Sequence, residues 1–172
     1  MKAAILTISD RCFRGETQDV TGPMLRDALV AAGVSVVEVA LAPDEEERVR
    51  GELIRLSDQV SADVVITNGG TGLGPRDVTP EATEAVLQRR APGIAEAMRM
   101  GGLVHTPNAM LSRGTAGLRG RTLIVNLPGS PRGARECLDI ILPVLEHAVE
   151  MIQGGGHGSE AGGDGGPNTR AR

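Results

Sequence analysis

Aromatic side chains are almost missing from this chain: Phe13 stands alone, without a single Trp or Tyr. That removes the stacking platforms on which single-stranded nucleic acid is bound. A net charge of −4 argues in the same direction, since a phosphate backbone recruits a basic surface. The core must therefore be assembled from Val, Leu, Ile, Ala and Met. Lysine is nearly absent as well, with Lys2 the only one among 18 basic residues. An arginine-biased, alanine-rich composition accounts for this without anion binding, so only arginines beside a pocket bear on function. Cys12 and Cys137 form no C-x-x-C pair, and His105, His147 and His157 complete no zinc-site spacing. Two lone cysteines suit a reducing compartment, and nothing beside Cys12 offers a base for nucleophilic catalysis. No apolar run approaches the ~20 residues of a membrane helix. Met1-Lys2 leads straight into a short apolar strand, unlike a secretory leader. The expectation is a soluble, cytoplasmic protein with no nucleic-acid or membrane partner.

What is present is a regular alternation of apolar strands and amphipathic helices. Lys2 to Ile8 is a nearly continuous apolar run, suited to a strand covered on both faces. Thr21 is expected to cap a helix whose inner face carries Met24, Leu25, Ala28, Leu29 and Ala32. Val34 to Leu41 reads as a second strand, and Pro43-Asp44-Glu45 as the opening of a second helix. Ala62 to Ile66 reads as a buried strand; helices follow from about 80 to 90 and from about 92 to 101. Thr122 to Val125 lies in a further strand, and Pro128 to Pro131 turns the chain into a long last helix. This order implies an α/β protein with three layers, α/β/α, around a mostly parallel sheet. Residues 1–153 form one domain on this reading. From Gly154 onward eight of the chain's 24 glycines crowd a stretch with few apolar residues, so 154–172 is expected to be a disordered tail.

The most informative segment is Thr67-Asn68-Gly69-Gly70-Thr71-Gly72-Leu73-Gly74-Pro75-Arg76-Asp77. It joins a strand to a helix start at Thr79-Pro80, with Thr79 expected as N-cap. A Walker A loop would need Lys and Ser/Thr after its last glycine, and the dinucleotide fingerprint would need G-x-G-x-x-G. Neither pattern is met. Glycines of this density let backbone N–H groups approach an anion, and a helix N-terminus behind them adds to the attraction.

In a parallel α/β sheet ligands gather at the carboxyl ends of the strands. That rim would carry Ser9-Asp10-Arg11, Asp44, the glycine loop and the turn at Pro128 to Pro131. Asp77 beside the loop suits a carboxylate holding Mg²⁺ against a polyphosphate, and Arg76 a neutralising cation. Asp44 alone reads as a helix cap; sharing a rim with Asp77 it reads as a second metal carboxylate. Ser112, Arg113 and Ser130 resemble donors for phosphate or a polar heterocycle. His105 reads as a local hydrogen-bonding residue.

Taken in order, several segments resemble the molybdopterin adenylyltransferase family of molybdenum cofactor biosynthesis. They are Leu6-Thr7-Ile8-Ser9-Asp10-Arg11, Thr21-Gly22-Pro23, Pro43-Asp44-Glu45, Gly69-Gly70-Thr71-Gly72 through Arg76-Asp77, Ala109 to Gly114, and Asn126 to Pro131. The resemblance runs to about residue 152. It implies transfer of AMP from ATP to the terminal phosphate of molybdopterin, with Mg²⁺ required and pyrophosphate released. Asp44 and Asp77 would be the essential carboxylates. Ser9, Asp10, Gly69, Gly70, Thr71, Gly72, Arg76, Ser112, Arg113, Gly129 and Ser130 would contact substrate. It implies, too, a homotrimer and a transient contact with the molybdenum-insertion protein. Asn68 departs from the threonine expected there. The competing readings are a non-catalytic molybdopterin-binding or handover protein, and a nucleotide-processing relative, a type that carries a further C-terminal domain.

Overall fold

The computed structural model describes residues 1–155. The expectation of a disordered tail falls almost wholly outside them. A six-stranded sheet runs in the order β2-β1-β3-β6-β5-β4. Its strands are β1 (Lys2–Ile8), β2 (Ser35–Ala42), β3 (Val64–Asn68), β4 (Arg89–Arg90), β5 (Ala116–Arg119) and β6 (Thr122–Leu127). The helices are α1 (Asp10–Phe13), α2 (Thr21–Ala31), α3 (Glu46–Ile54), α4 (Thr79–Glu84), α5 (Pro92–Gly102) and α6 (Pro131–Gln153). A wider π-type turn over Arg55–Gln59 extends α3, and a 3-10 turn at Pro107–Leu111 follows α5.

β2, β1, β3 and β6 are mutually parallel; at one edge β5 pairs antiparallel with β6, and β4 antiparallel with β5. Strand alternation builds two cores. Ile5, Ile66 and Val125 stand in register and point to one face. There they pack with Leu25 and Leu29 of α2, Met98 of α5, and Leu138, Ile141 and Leu145 of α6. Ala4, Val65 and Ile124 point the other way, against Val49 and Leu53 of α3 and Ala82 of α4. Each central strand is covered twice, which is why its sequence reads as an apolar run instead of an alternation.

Local sequence signals fail at three places, each time because a tertiary partner claims the residue. Asp19, not Thr21, caps α2: its Oδ1 accepts from the amides of Thr21 and Gly22, both at 3.0 Å. The Thr21 hydroxyl instead donates to the Gly129 carbonyl at 3.0 Å. Thr79 is likewise no cap, since its hydroxyl donates to the Gly69 carbonyl at 2.8 Å. The helix expected to reach residue 90 ends at Glu84. Beyond it the Gln88 amide donates to the Leu118 carbonyl and the Ala91 amide to the Ala116 carbonyl, drawing the segment into the sheet. Pro92 also forces Ala91 out of helical geometry. α6 closes on Gly154 in the left-handed conformation, φ +88°.

Ile66 is fully buried at the centre of the sheet. Ile66→Ala is expected to lower the unfolding free energy by about 2–5 kcal/mol, read from the midpoint of a urea titration at unchanged slope.

Candidate functional site

All four rim segments converge as expected. β3 and β6 leave the sheet side by side, and the Gly69 amide donates to the Leu127 carbonyl at 3.2 Å. The two exits then touch: a Cβ on Gly129 would sit 3.1 Å from the Gly69 Cα. Gly69 itself lies at φ +101° with its α-carbon against the Ile8 carbonyl, so no other residue fits there. Thr79 holds the loop from behind through its hydroxyl on Gly69 and its amide on the Gly70 carbonyl (3.1 Å). Among the described residues nothing pairs with the amides of Gly70, Thr71 and Gly72. Three successive unpaired N–H groups make an anion-binding concavity.

Two cavities open around this crossing. The smaller, about 360 Å³, is lined by Ser9, Asp44, Gly69, Gly70, Asp77 and Gly129, and also by Thr7, Asp19 and Asn68. The larger, about 470 Å³, is lined by Thr71, Gly72, Ser112 and Ser130, with Met98, Arg99, Glu136 and Cys137 among the rest. The glycine loop contributes to both.

The smaller cavity is the acidic one. Asp44 and Asp10 clasp each other: the Asp10 amide donates to Asp44 Oδ2 at 2.7 Å, and the Asp44 amide to Asp10 Oδ1 at 3.0 Å. Asp44 thus ties the exits of β1 and β2 together, and α3 begins two residues later without it. Burial pushes the Asp44 carboxyl up, and the neighbouring charges of Asp10 and Asp77 add to this against the Asp10 amide and Arg76. Asp10 is held low, chiefly by its hydrogen bond from Arg76 at 2.8 Å. Asp77 Oδ2 accepts from the Gly74 amide at 2.8 Å, closing the loop on itself. Asp44 Oδ1 and Asp77 Oδ1 have no hydrogen-bond donor among the described residues. No group of three His, Cys, Asp or Glu side chains among those residues could cage a metal.

Several candidate residues support the site without lining either cavity. Arg76 lies across the rim on Asp10. Arg113 braces the loop from beneath, donating to the Gly72 carbonyl at 2.7 Å, to the Asp77 carbonyl and to Glu81. Ser112 and Ser130 do line the larger cavity; Ser130 Oγ accepts from the Gly133 amide at 3.2 Å as the cap of α6. Ser9 Oγ accepts from the Cys12 amide at 3.3 Å as the cap of α1.

Asp19, Thr7 and Glu136 were not singled out from the sequence. Asp19 had a readable signal, a carboxylate two residues before a helix start. Thr7 had none, because strand residues at a rim look like any other strand residue. Asn68 Nδ2 donates to Thr7 Oγ1 at 2.9 Å, and Thr7 donates onward to Asp19 Oδ2 at 2.7 Å. The departure at Asn68 therefore joins the glycine loop to the start of α2.

The raised Asp44 carboxyl sets a pH signature. Its native form binds a proton more readily than the unfolded chain, so its charge costs stability at neutral pH, and that cost fades as pH falls through the raised value. Asp44→Asn is expected to melt at or above the wild-type temperature at pH 7. The difference should close on acidification toward the ordinary carboxylate range near ~4, as followed by thermal melts across pH.

Comparisons with known proteins point one way. The model of the "Probable molybdopterin binding domain" family matches residues 4–147. The molybdopterin adenylyltransferase of Helicobacter pylori is 40% identical over 152 residues, covering 87% of this chain and 86% of that one. Its namesake in Escherichia coli is 40% identical over 141 residues, 81% and 72% of the two chains. The solved structure of the molybdopterin biosynthesis enzyme MoaB of Thermus thermophilus superposes with a TM-score of 0.84 at 52% identity, covering 89% of this chain and 96% of that one. The chain belongs to the molybdopterin-binding domain family of molybdenum cofactor biosynthesis.

Proposed function

We propose that this protein is a molybdopterin adenylyltransferase, which transfers AMP from ATP to the terminal phosphate of molybdopterin and releases pyrophosphate. One observation carries the reading: two cavities, one acidic and one largely apolar-walled, meet at a glycine loop whose amides are free. The larger cavity suits a flat heterocycle and the smaller a polyphosphate with its cation. The reacting phosphates would then lie over Gly70, Thr71 and Gly72.

In this reaction a phosphate oxygen of molybdopterin attacks the α-phosphorus of ATP. The bond from that phosphorus to the bridging oxygen breaks, and pyrophosphate departs with the electron pair. The nucleophile is ionised at neutral pH, so no strong general base is required. Catalysis rests on alignment and on stabilising the spread of negative charge. The loop amides supply fixed dipoles, and Arg113 keeps them in place from beneath.

Asp44 and Asp77 fit a Mg²⁺ ion delivered with the nucleotide, since each keeps one carboxylate oxygen free. Magnesium is commonly held by one or two carboxylates plus substrate phosphates, not by a full protein cage. Bound there, it would neutralise phosphate charge and ease the departure of pyrophosphate. The reading extends to a cytoplasmic homotrimer that passes its product to the molybdenum-insertion protein.

The test is pyrophosphate release from Mg·ATP with and without molybdopterin. Release should depend on molybdopterin, and Asp77→Ala should reduce it at least tenfold, about 1.4 kcal/mol of barrier. Binding of molybdopterin without any pyrophosphate would overturn the enzyme and leave a handover protein.

A further inference from the structure

The larger cavity contains one carboxylate that the proposed reaction does not use. Its floor is apolar: Ala95 and Met98 of α5 and Cys137 of α6 are all buried. Burial pushes the Cys137 thiol up to about 11, with Glu136 contributing, so this wall carries no thiolate at neutral pH. The cavity's only cation among its lining residues, Arg99, is directed at backbone, donating to the Ser112 and Gly114 carbonyls at 3.4 and 2.9 Å. Glu136 is the only acid among them. It lies on α6 in helical phase with Ser130 and Gly133, which line the same cavity.

Glu136 has little claim on it from the protein. Oε1 accepts from the Nε of Arg132, a side chain 78% exposed, in a surface pair one helical turn apart. Exposed pairs of that kind contribute little. His105 stands 4.0 Å away and is itself half exposed. Among the described residues Oε2 has no donor. A carboxylate that is only 20% exposed and presents free acceptor positions to an apolar-walled cavity calls for a ligand with donors.

We infer that Glu136 is the residue that reads the pterin ring, accepting hydrogen bonds from its 2-amino group and adjacent ring N–H. This deepens the proposed function and rests on it. The chemistry is complementary. A 2-amino-4-oxo pyrimidine edge offers two parallel donors about as far apart as the two acceptors of a carboxylate. Heterocycles lacking the exocyclic amine would leave the charge unpaired in a partly desolvated site, which is how a buried polar group rejects an analogue. The apolar floor formed by Met98 and Cys137 would take the ring's face. Glu136 would thereby set affinity and choice of substrate, without touching the reacting phosphates.

The experiment is steady-state kinetics of pyrophosphate release with molybdopterin and Mg·ATP varied separately. Glu136→Gln keeps the shape but turns one acceptor into a donor; it should raise the KM for molybdopterin at least tenfold. Both kcat and the KM for ATP should stay within about twofold. Arg132→Ala should leave all three within about twofold, separating ring recognition from the surface ion pair. Glu136→Asp should give a KM between those of wild type and Glu136→Gln. 2-Amino-4-oxopteridine should inhibit wild type competitively against molybdopterin at concentrations where 4-oxopteridine does not, and that discrimination should vanish in Glu136→Gln. An unchanged molybdopterin KM in Glu136→Gln, or an equal loss in Arg132→Ala, would overturn the assignment while leaving adenylyl transfer standing. Wild-type pyrophosphate release independent of molybdopterin would instead remove the underlying reading, and this assignment with it.

Discussion

The close passage of β3 and β6 as they leave the sheet is the constraint on which the rest depends. The two backbones come this near because Gly129 presents no side chain toward Gly69, while Gly69, at φ +101°, turns its own empty side-chain position toward the Ile8 carbonyl at the end of β1. Their contact leaves the loop beyond Gly69 standing over the rim with its amides unpaired, and it divides the rim into two cavities. Thr21, Thr79 and Leu127 fix the crossing through hydrogen bonds to or from its backbone. Two helix-start threonines thereby anchor the site instead of capping their helices.

The electrostatics follow from that geometry. Acidic groups gather on one side of the crossing because β1, β2 and the loop after β3 all end there. Asp44 and Asp10 satisfy each other's amides, yet each keeps its charge near the other, and Arg76 bonds directly to the outer member of the pair while reaching the inner one only through its charge. The inner carboxylate is left poorly compensated, as Asp44's upward shift records. A site in that condition is predisposed toward a cation. Across the crossing the cavity is largely apolar, with one carboxylate turned inward.

The arginines show why composition was a poor guide to function. At this rim the guanidinium groups are held by protein acceptors: Arg113 under the loop, Arg99 on the carbonyls before β5, Arg76 against Asp10. A guanidinium offers five donors in a fixed plane, so it can satisfy several backbone carbonyls at once where a loop must be held open. The amides of Gly70, Thr71 and Gly72 are left without a partner among the described residues.

The succession of strands and helices, the double coverage of the sheet and the glycine loop at its rim were legible in the sequence, because each is written in a local pattern. Apolar runs of strand length, helical periodicity and glycine density are set by neighbours along the chain. The antiparallel pair β4 and β5 was not legible, since two arginines and an Ala-Gly-Leu-Arg stretch carry no strand signal without an edge to join. Nor were the partners of Thr21, Thr79, Thr7 and Asn68, whose hydroxyls and amide find acceptors and donors between 10 and 108 positions away. The sequence by itself determined the layers and which loops would share a rim, through the period of its apolar residues and the placement of its glycines. Only the tertiary structure decided which polar groups face the cavities and which hold the loops. A hydrogen bond is short and directional, and its partner is chosen by position in space.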